Sequence, residues 1–562
     1  MAETPNYPAQ KLLELAARAM GAGRFPEAEG HLRDVLLHDP ENPVALHLLG
    51  LRAYVSGNRS DARRMVERAV KAAPESVEIL TSFGTMLHEL GEPREALDVF
   101  LRILSKETSS PEIWNAAGIC FQETDQPALA VEFYLRALSL RPSYAEAHSN
   151  LGAVLIHEGD TDGAVEHLLE GRKLNPAIPD IHHNLGIALR NRFEYAAAIA
   201  SFREGLRLKP DSANILGSLG EVLSLVGDAE AEGYLRRSVA LRPDEAEKHW
   251  NFSHWLLKSG KYAEGWREYE WRWRRTKNQK PLRSFSQPMW RGEQGQSIAG
   301  ATILLSCEQG FGDTLQFLRY VPLVVAMGAR VVLEVQPALK RLVAEFARGL
   351  DAAIVVLGEG EELPAFDWYT PLMSMPLAFG TTLETVPAAR RFTAPVAERV
   401  AASPLRVGIA WSGNPKHDRD RERSIPVEAL GALFSVPGCT WVSLQVNAPE
   451  ELGFPHERPL LRDFLDTAEL LDTLDLVVTV DTSVAHLAAS QGIPTWILLP
   501  YVAEWRWLQP TSRGDVASGN AWYPEARLFR QRILPDGRAQ GELWRPLIAE
   551  VAEALRGFVE SG

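Results

Sequence analysis

A recurring interval of 34 residues restricts the fold of this chain more than any other feature. The triplets LLG (Leu48 to Gly50), SFG (Ser82 to Gly84), AAG (Ala116 to Gly118), NLG (Asn150 to Gly152), NLG (Asn184 to Gly186) and SLG (Ser218 to Gly220) follow one another at that step. Twelve residues beyond five of these glycines stands an alanine: Ala62, Ala96, Ala130, Ala164 and Ala198. Pro40, Pro74, Pro142, Pro176, Pro210 and Pro243 close most units. Each unit holds two amphipathic helical segments, with small residues where the helices cross closely and a proline that ends the second. One unit cannot bury its own apolar face, so neighbours stack into a superhelix with a concave surface. The spacing predicts an all-α array over residues 1–275, about eight units with degenerate ones included.

The pattern resembles the tetratricopeptide repeat. Asn150, Asn184 and Asn251 occupy one slot of the repeat, filled by Ser82 and Ser218 in other units. The resemblance places that slot on the concave groove, where a row of amides can hydrogen-bond an extended peptide backbone without reading its sequence. The same asparagines can instead tie neighbouring helices together or remain solvated. His148, His182 and His249 sit about one repeat apart, too far to share a metal ion. The run GWREYEWRWRR, Gly265 to Arg275, interleaves aromatics with arginines. Nucleic-acid stacking uses such residues, but a junction helix packing on a following domain accounts for them more simply. Residues 276–298 are polar and carry Pro and Gly, which reads as a linker.

From Ala301 the pattern changes to short apolar strands alternating with helices. ATILLSC, ARVVLEV, AAIVVLG and DWYTPL form one series, and LRVGIAWSG, TWVSLQV, LDLVVTVD and TWILLP a second. Two such series predict two doubly wound, Rossmann-like α/β lobes, residues 299–400 and 401–562, with ligands at the carboxyl ends of the strands. Three loops occupy strand ends. The first, GFGD, has Gly310 and Gly312 followed by Asp313, with Leu315 where a dinucleotide fingerprint needs glycine. The second, Ala410 to Pro426, is rich in basic residues, although Asp418, Asp420 and Glu422 alternate with them. In the third, Asp481, Thr482 and Ser483 end a strand and open a helix, whose free N–H groups suit an anion. An anion site opposite a basic loop suggests a nucleotide diphosphate, and without a DxD motif no metal or other cofactor is expected.

Bulk properties narrow the function classes. A net charge of −14 argues against a general nucleic-acid binder. Cys120, Cys307 and Cys439 are far apart, which points to a reducing compartment and away from structural zinc. MAETPNYPAQ lacks the basic and apolar regions of a signal peptide, and no apolar run approaches the ~20 residues of a membrane span. A cytoplasmic location is the expectation.

GFGD, WSGNP, SLQ (Ser443 to Gln445), DTSVAH (Asp481 to His486) and WRW (Trp505 to Trp507) together resemble the heptosyltransferase-type GT-B glycosyltransferases. The likeness is strongest to bacterial proteins that join such a domain to tetratricopeptide repeats, and the layout is similar to O-linked N-acetylglucosamine transferase. The resemblance implies an inverting, metal-independent transferase with residues 299–400 on the acceptor side and 401–562 on the nucleotide-sugar side. Asp313 takes the place of the general base, and capping of the following helix is its alternative use. Asp481 is implied in sugar contacts, and Thr482, Ser483 and Val484 in offering N–H groups to the diphosphate. His486 touches phosphate or sugar, or is simply packed. Asn414 and Lys416 match phosphate and leaving-group contacts, Arg423 is the best placed arginine, and Ser443 and Gln445 face the nucleobase. The leading expectation is a protein O-glycosyltransferase whose array captures a polypeptide; bacterial relatives of this layout suggest flagellin. A glycan or lipopolysaccharide acceptor, and a non-catalytic scaffold, are the alternatives.

Overall fold

The computed structural model describes residues 8–106, 110–275, 283–350, 352–394, 404–415, 420–446, 456–508, 520–532 and 540–561. An all-α superhelix is followed by a region of parallel sheets, the expected fold class. Contacts group the chain into two units, one of residues 1–192 with 200–210 and the other of residues 193–199 with 211–562. The second unit thus takes in the last helices of the array, which the sequence assigns with the rest to residues 1–275.

In the first unit the 34-residue period becomes a close crossing of two helices. An added Cβ on Gly84, Gly118 or Gly186 would lie 2.7, 2.7 or 2.5 Å from the ring of Phe100, Tyr134 or Phe202, sixteen residues onward in each case. Only glycine leaves room for those rings. Gly186→Val is expected to lower the unfolding free energy by about 1–3 kcal/mol through overpacking, read from the urea midpoint of the helical signal. The histidines have structural work as well. His148 Nε2 meets the Pro142 carbonyl at 3.1 Å, and His182 Nε2 meets that of Pro176 at 2.8 Å. A ring in the first helix of a unit thereby satisfies a carbonyl exposed by the proline turn before it. Asn150 donates to Asn115 Oδ1 at 3.0 Å and Asn184 to Ser149 at 3.5 Å, so both amides link neighbouring repeats.

In the second unit, helices Ala246–Lys258 and Tyr262–Tyr269 belong to the last repeat. His249 repeats the device, meeting the Pro243 carbonyl at 2.8 Å, while Asn251 makes no side-chain hydrogen bond among the described residues. Tyr262, Trp266 and Tyr269 are buried in one core with Phe317, Trp505 and Trp522. These aromatics are junction residues; their faces are closed to a nucleic acid.

The first sheet comprises β1 (Thr302–Ser306), β2 (Arg330–Val335), β3 (Ile354–Gly358) and β4 (Trp368–Pro371), all parallel, in the order β3-β2-β1-β4. The second comprises β5 (Leu405–Ala410), β6 (Cys439–Ser443), β7 (Leu476–Val480), β8 (Thr495–Leu499) and β9 (Arg527–Arg530), also parallel, in the order β6-β5-β7-β8-β9. Helix Gln540–Ser561 covers one face of the second sheet through Trp544, Ile548, Val551 and Leu555. The stretch 276–298, expected as a linker, is not one where it is described. Phe285 and Met289 pack on the first sheet, Trp290 is buried, and Met289 pairs with Tyr369 of β4. Its apolar residues cover a sheet face that would otherwise meet water.

Candidate functional site

Strand order reverses beside β1 in the first sheet and beside β5 in the second. Ligand crevices of open parallel sheets form at such switch points, beyond the carboxyl ends of the strands. The loop after β1 holds Gly310, Gly312 and Asp313, the loop after β5 holds Asn414, and the loop after β7 holds Asp481. All three sequence-chosen loops therefore leave their sheets at, or directly beside, a reversal.

The loops of β1 and β7 meet. Helix Phe311–Phe317 begins against helix Ser483–Ser490, and a Cβ on Gly312 would lie 2.8 Å from the His486 ring and 3.7 Å from Ser483 Cα. Glycine at 312 is what permits the approach. Around it, the Phe311 and Phe464 rings are 5.0 Å apart, and Arg341 donates to Asp463 at 2.8 Å. Asp313 both caps and pairs. Its carboxylate accepts the Gly310 N–H at 3.0 Å, and Arg506 forms an ion pair with it from the WRW turn. Arg506 Nε donates to Gln316 Oε1 at 2.6 Å, while Gln316 Nε2 is buried with no acceptor among the described residues. Arg506, quoted in the sequence only as part of WRW, is thus the cation that pairs with Asp313.

Asp481 is buried at the end of β7. Burial, then the charge of Glu504, pushes its carboxyl up to about 6, against the pull of Trp507, Arg506 and Arg423. The folded state therefore holds this proton at pH values where the unfolded chain has lost it. Stability from this group is fully present below about pH 4 and is lost as pH rises through about 6. Asp481→Asn is expected to raise the melting temperature at pH 7.5 more than at pH 4.5, a difference of about 2 kcal/mol.

Helix Ser483–Ser490 has Thr482 at its N-cap, yet no side chain caps it; the Thr482 hydroxyl lies 3.4 Å from that of Thr479. The expected Ser/Thr cap is absent because that hydroxyl turns toward the strand. None of the described residues supplies an acceptor to the N–H groups of Ser483 and Val484. His486 takes the packed alternative. It shares a hydrogen bond of 3.0 Å with the Tyr523 hydroxyl and stacks on Trp507. Burial, then the charges of Arg506, Arg319 and Arg423, pushes its imidazole well below the usual range, so the ring is neutral.

Arg423 donates to the Asp481 carbonyl and to Asp420, each at 3.0 Å, which joins the β5 loop to the β7 loop. A Cβ on Gly413 would collide with its guanidinium. Asn414 is exposed at the same loop, and Lys416 lies outside the described residues. Gln445 Oε1 accepts the Ser412 N–H at 3.2 Å and the Gln445 N–H donates to Ser443 Oγ at 3.3 Å. Gln445, expected at a nucleobase, thus braces the β5 loop, and Ser443 in turn holds Gln445.

Beneath the first loop lies a group that sequence patterns did not reveal. Arg272, fully buried at the end of the last repeat, donates to Glu308 at 2.9 and 3.1 Å and to Ser374 Oγ at 2.7 Å. Glu308 precedes Gly310 by two residues; burial raises its carboxyl despite the guanidinium beside it.

Comparison with known proteins bears mainly on the repeats. Tetratricopeptide-repeat family profiles match residues 47–112, 115–179 and 179–212. The chain is 26% identical over 383 residues to Protein FlbA of Caulobacter vibrioides, a match covering 61% of this chain and 60% of FlbA. The chain thus spans about three fifths of the length of that relative. Among solved structures it is similar to a tetratricopeptide repeat protein from Parabacteroides merdae, at 16% identity and a TM-score of 0.38, over 43% of this chain and 97% of that one. It is also similar to a chain of the APC/C hetero-tetramer Cut9–Hcn1, at 20% identity and a TM-score of 0.37, over 44% and 46% of the two chains. Among the described residues no helix is long and apolar enough to cross a membrane. Residues 47–212 are thus tetratricopeptide repeats, in a chain with homology to FlbA.

Proposed function

We propose that this chain is an inverting glycosyltransferase that moves a sugar from a nucleotide-sugar to a hydroxyl of a protein held by the repeats. One observation carries the reading: the aspartate-bearing helix start after β1 meets the uncapped helix start after β7, and Arg506 pairs with that aspartate. In the reaction the acceptor oxygen bonds to the anomeric carbon as that carbon's bond to the diphosphate oxygen breaks. The hydroxyl proton passes to the Asp313 carboxylate, and the electron pair departs on the nucleoside diphosphate. Arg423, Arg506 and the N–H groups of Ser483 and Val484 offset the charge gained by that leaving group, so the reading requires no metal. Asp481, Asn414 and Lys416 are assigned to the donor on the resemblance described above. Asn150 and Asn184 in the first unit and Asn251 in the second are each assigned to the polypeptide on the same resemblance, with flagellin one acceptor of the required kind.

The test is a panel of sugar nucleotides against the full chain. A donor at a hundred times its Kd is expected to stabilise the fold by about 2.7 kcal/mol, visible as a raised melting temperature. Intact-mass analysis of a co-expressed acceptor should then show the added sugar. If no sugar nucleotide shifts melting or is turned over, the transferase reading fails and a scaffold role replaces it.

A further inference from the structure

Asp313 and Arg506 each lack what their assigned roles require while they hold one another. One Asp313 oxygen meets Arg506 and the other accepts the Gly310 N–H, so while the pair stands both oxygens are engaged when an acceptor hydroxyl arrives. A guanidinium bound to a carboxylate likewise has less to offer an incoming diphosphate. The pair is side-chain to side-chain, and the two side chains are only 10% and 16% exposed, so little water competes for either. Beside it, Gln316 Nε2 is buried without an acceptor among the described residues, although its own Oε1 is taken by Arg506. Helix Phe311–Phe317, which carries this unmatched donor, packs on the helix that opens with the Ser483 and Val484 N–H groups, and a spare donor beside a cation suits an anion.

We propose that Arg506 is an exchangeable counter-ion: the diphosphate of an arriving donor takes the guanidinium from Asp313, and so frees that carboxylate for the acceptor. The inference rests on the transferase reading and adds to it an order of events, donor before acceptor. A diphosphate offers more charge than one carboxylate and can accept two parallel N–H bonds, so exchange favours it once it has entered. Coupling of this kind is reciprocal. If diphosphate binding has to break the pair, then removing the carboxylate charge must tighten diphosphate binding.

The experiment is titration calorimetry of the full chain with inorganic pyrophosphate, for wild type, Asp313→Asn, Arg506→Gln and Glu504→Gln. Asparagine still accepts the Gly310 N–H, so the helix start survives in Asp313→Asn. Glu504 lies 4.0 Å from Arg506, and its variant removes the same charge from the neighbourhood without touching the pair. Asp313→Asn is expected to bind pyrophosphate roughly tenfold more tightly than wild type, clearly more than Glu504→Gln gains, while Arg506→Gln binds more weakly. Equal gains in the two carboxylate variants, or no gain in Asp313→Asn, would overturn the exchange while leaving a diphosphate site in place. Absence of binding in wild type and Asp313→Asn alike would remove the site and the exchange together. Should Arg506→Gln fail to fold, the comparison of the two carboxylate variants decides the matter.

Discussion

Arg272→Met is expected to destabilise the unit formed by residues 193–199 and 211–562 by about 3–5 kcal/mol. The side chain is fully buried and bonds Glu308 twice, Ser374 once and Glu270 at 2.5 Å. Methionine fills much of the volume but leaves the Glu308 carboxylate, already pushed up by burial, without its counter-charge. The effect should reach the β1 loop, because Glu308 also accepts the Met373 N–H at 3.1 Å and stands two residues before Gly310. Adding Glu308→Gln should recover a large part of the loss, since removing both charges avoids the unpaired one. Denaturant midpoints of the single and double variants give the comparison. A single variant as stable as wild type would mean that the pair does not hold the last repeat to the first sheet.

The largest expected effect on turnover comes from Asp313→Ala, a loss of about 10²–10⁴-fold in transfer with the fold intact. The reading gives this carboxylate the acceptor proton, and the His486 imidazole beside it is not free to replace it. His486 is neutral but buried against Gly312, Trp507 and Tyr523, with one nitrogen engaged. Asp481→Ala is expected to impair donor hydrolysis and transfer together, because its assigned partner is the donor sugar. Asp313→Ala should not weaken donor binding, and by the counter-ion exchange should tighten it. Steady-state rates with donor alone, and with donor plus acceptor, separate the two. Undiminished transfer in Asp313→Ala would confine that residue to capping the helix through Gly310.

Much of the architecture was legible because its signals are local. The 34-residue period places Gly50, Gly84, Gly118, Gly152 and Gly186 each against a bulky apolar side chain sixteen residues onward, a ring in three of them, and both partners lie within one unit of sequence. Eight strands announce themselves as short apolar runs, and all eight appear as β1 to β8. β9 did not: Arg527–Arg530 is four residues with an arginine at each end, too short and too polar to register as a strand. The described part of 276–298 misleads for a related reason, since its few packing residues, Phe285, Met289 and Trp290, are scattered among polar ones.

By itself, then, the chain of residues determined the repeats, the parallel strands and the three loops at strand ends, since periodicity and apolar runs are properties of neighbouring residues. Only the tertiary structure decided what those loops meet. Arg506 is 193 positions from Asp313, and Arg319 and Arg423 are other cations that share the same neighbourhood. Nothing in spacing or composition selects Arg506 among them. An ion pair is chosen by distance in space and by the loss of water around it, and both arise only when the two sheets come together.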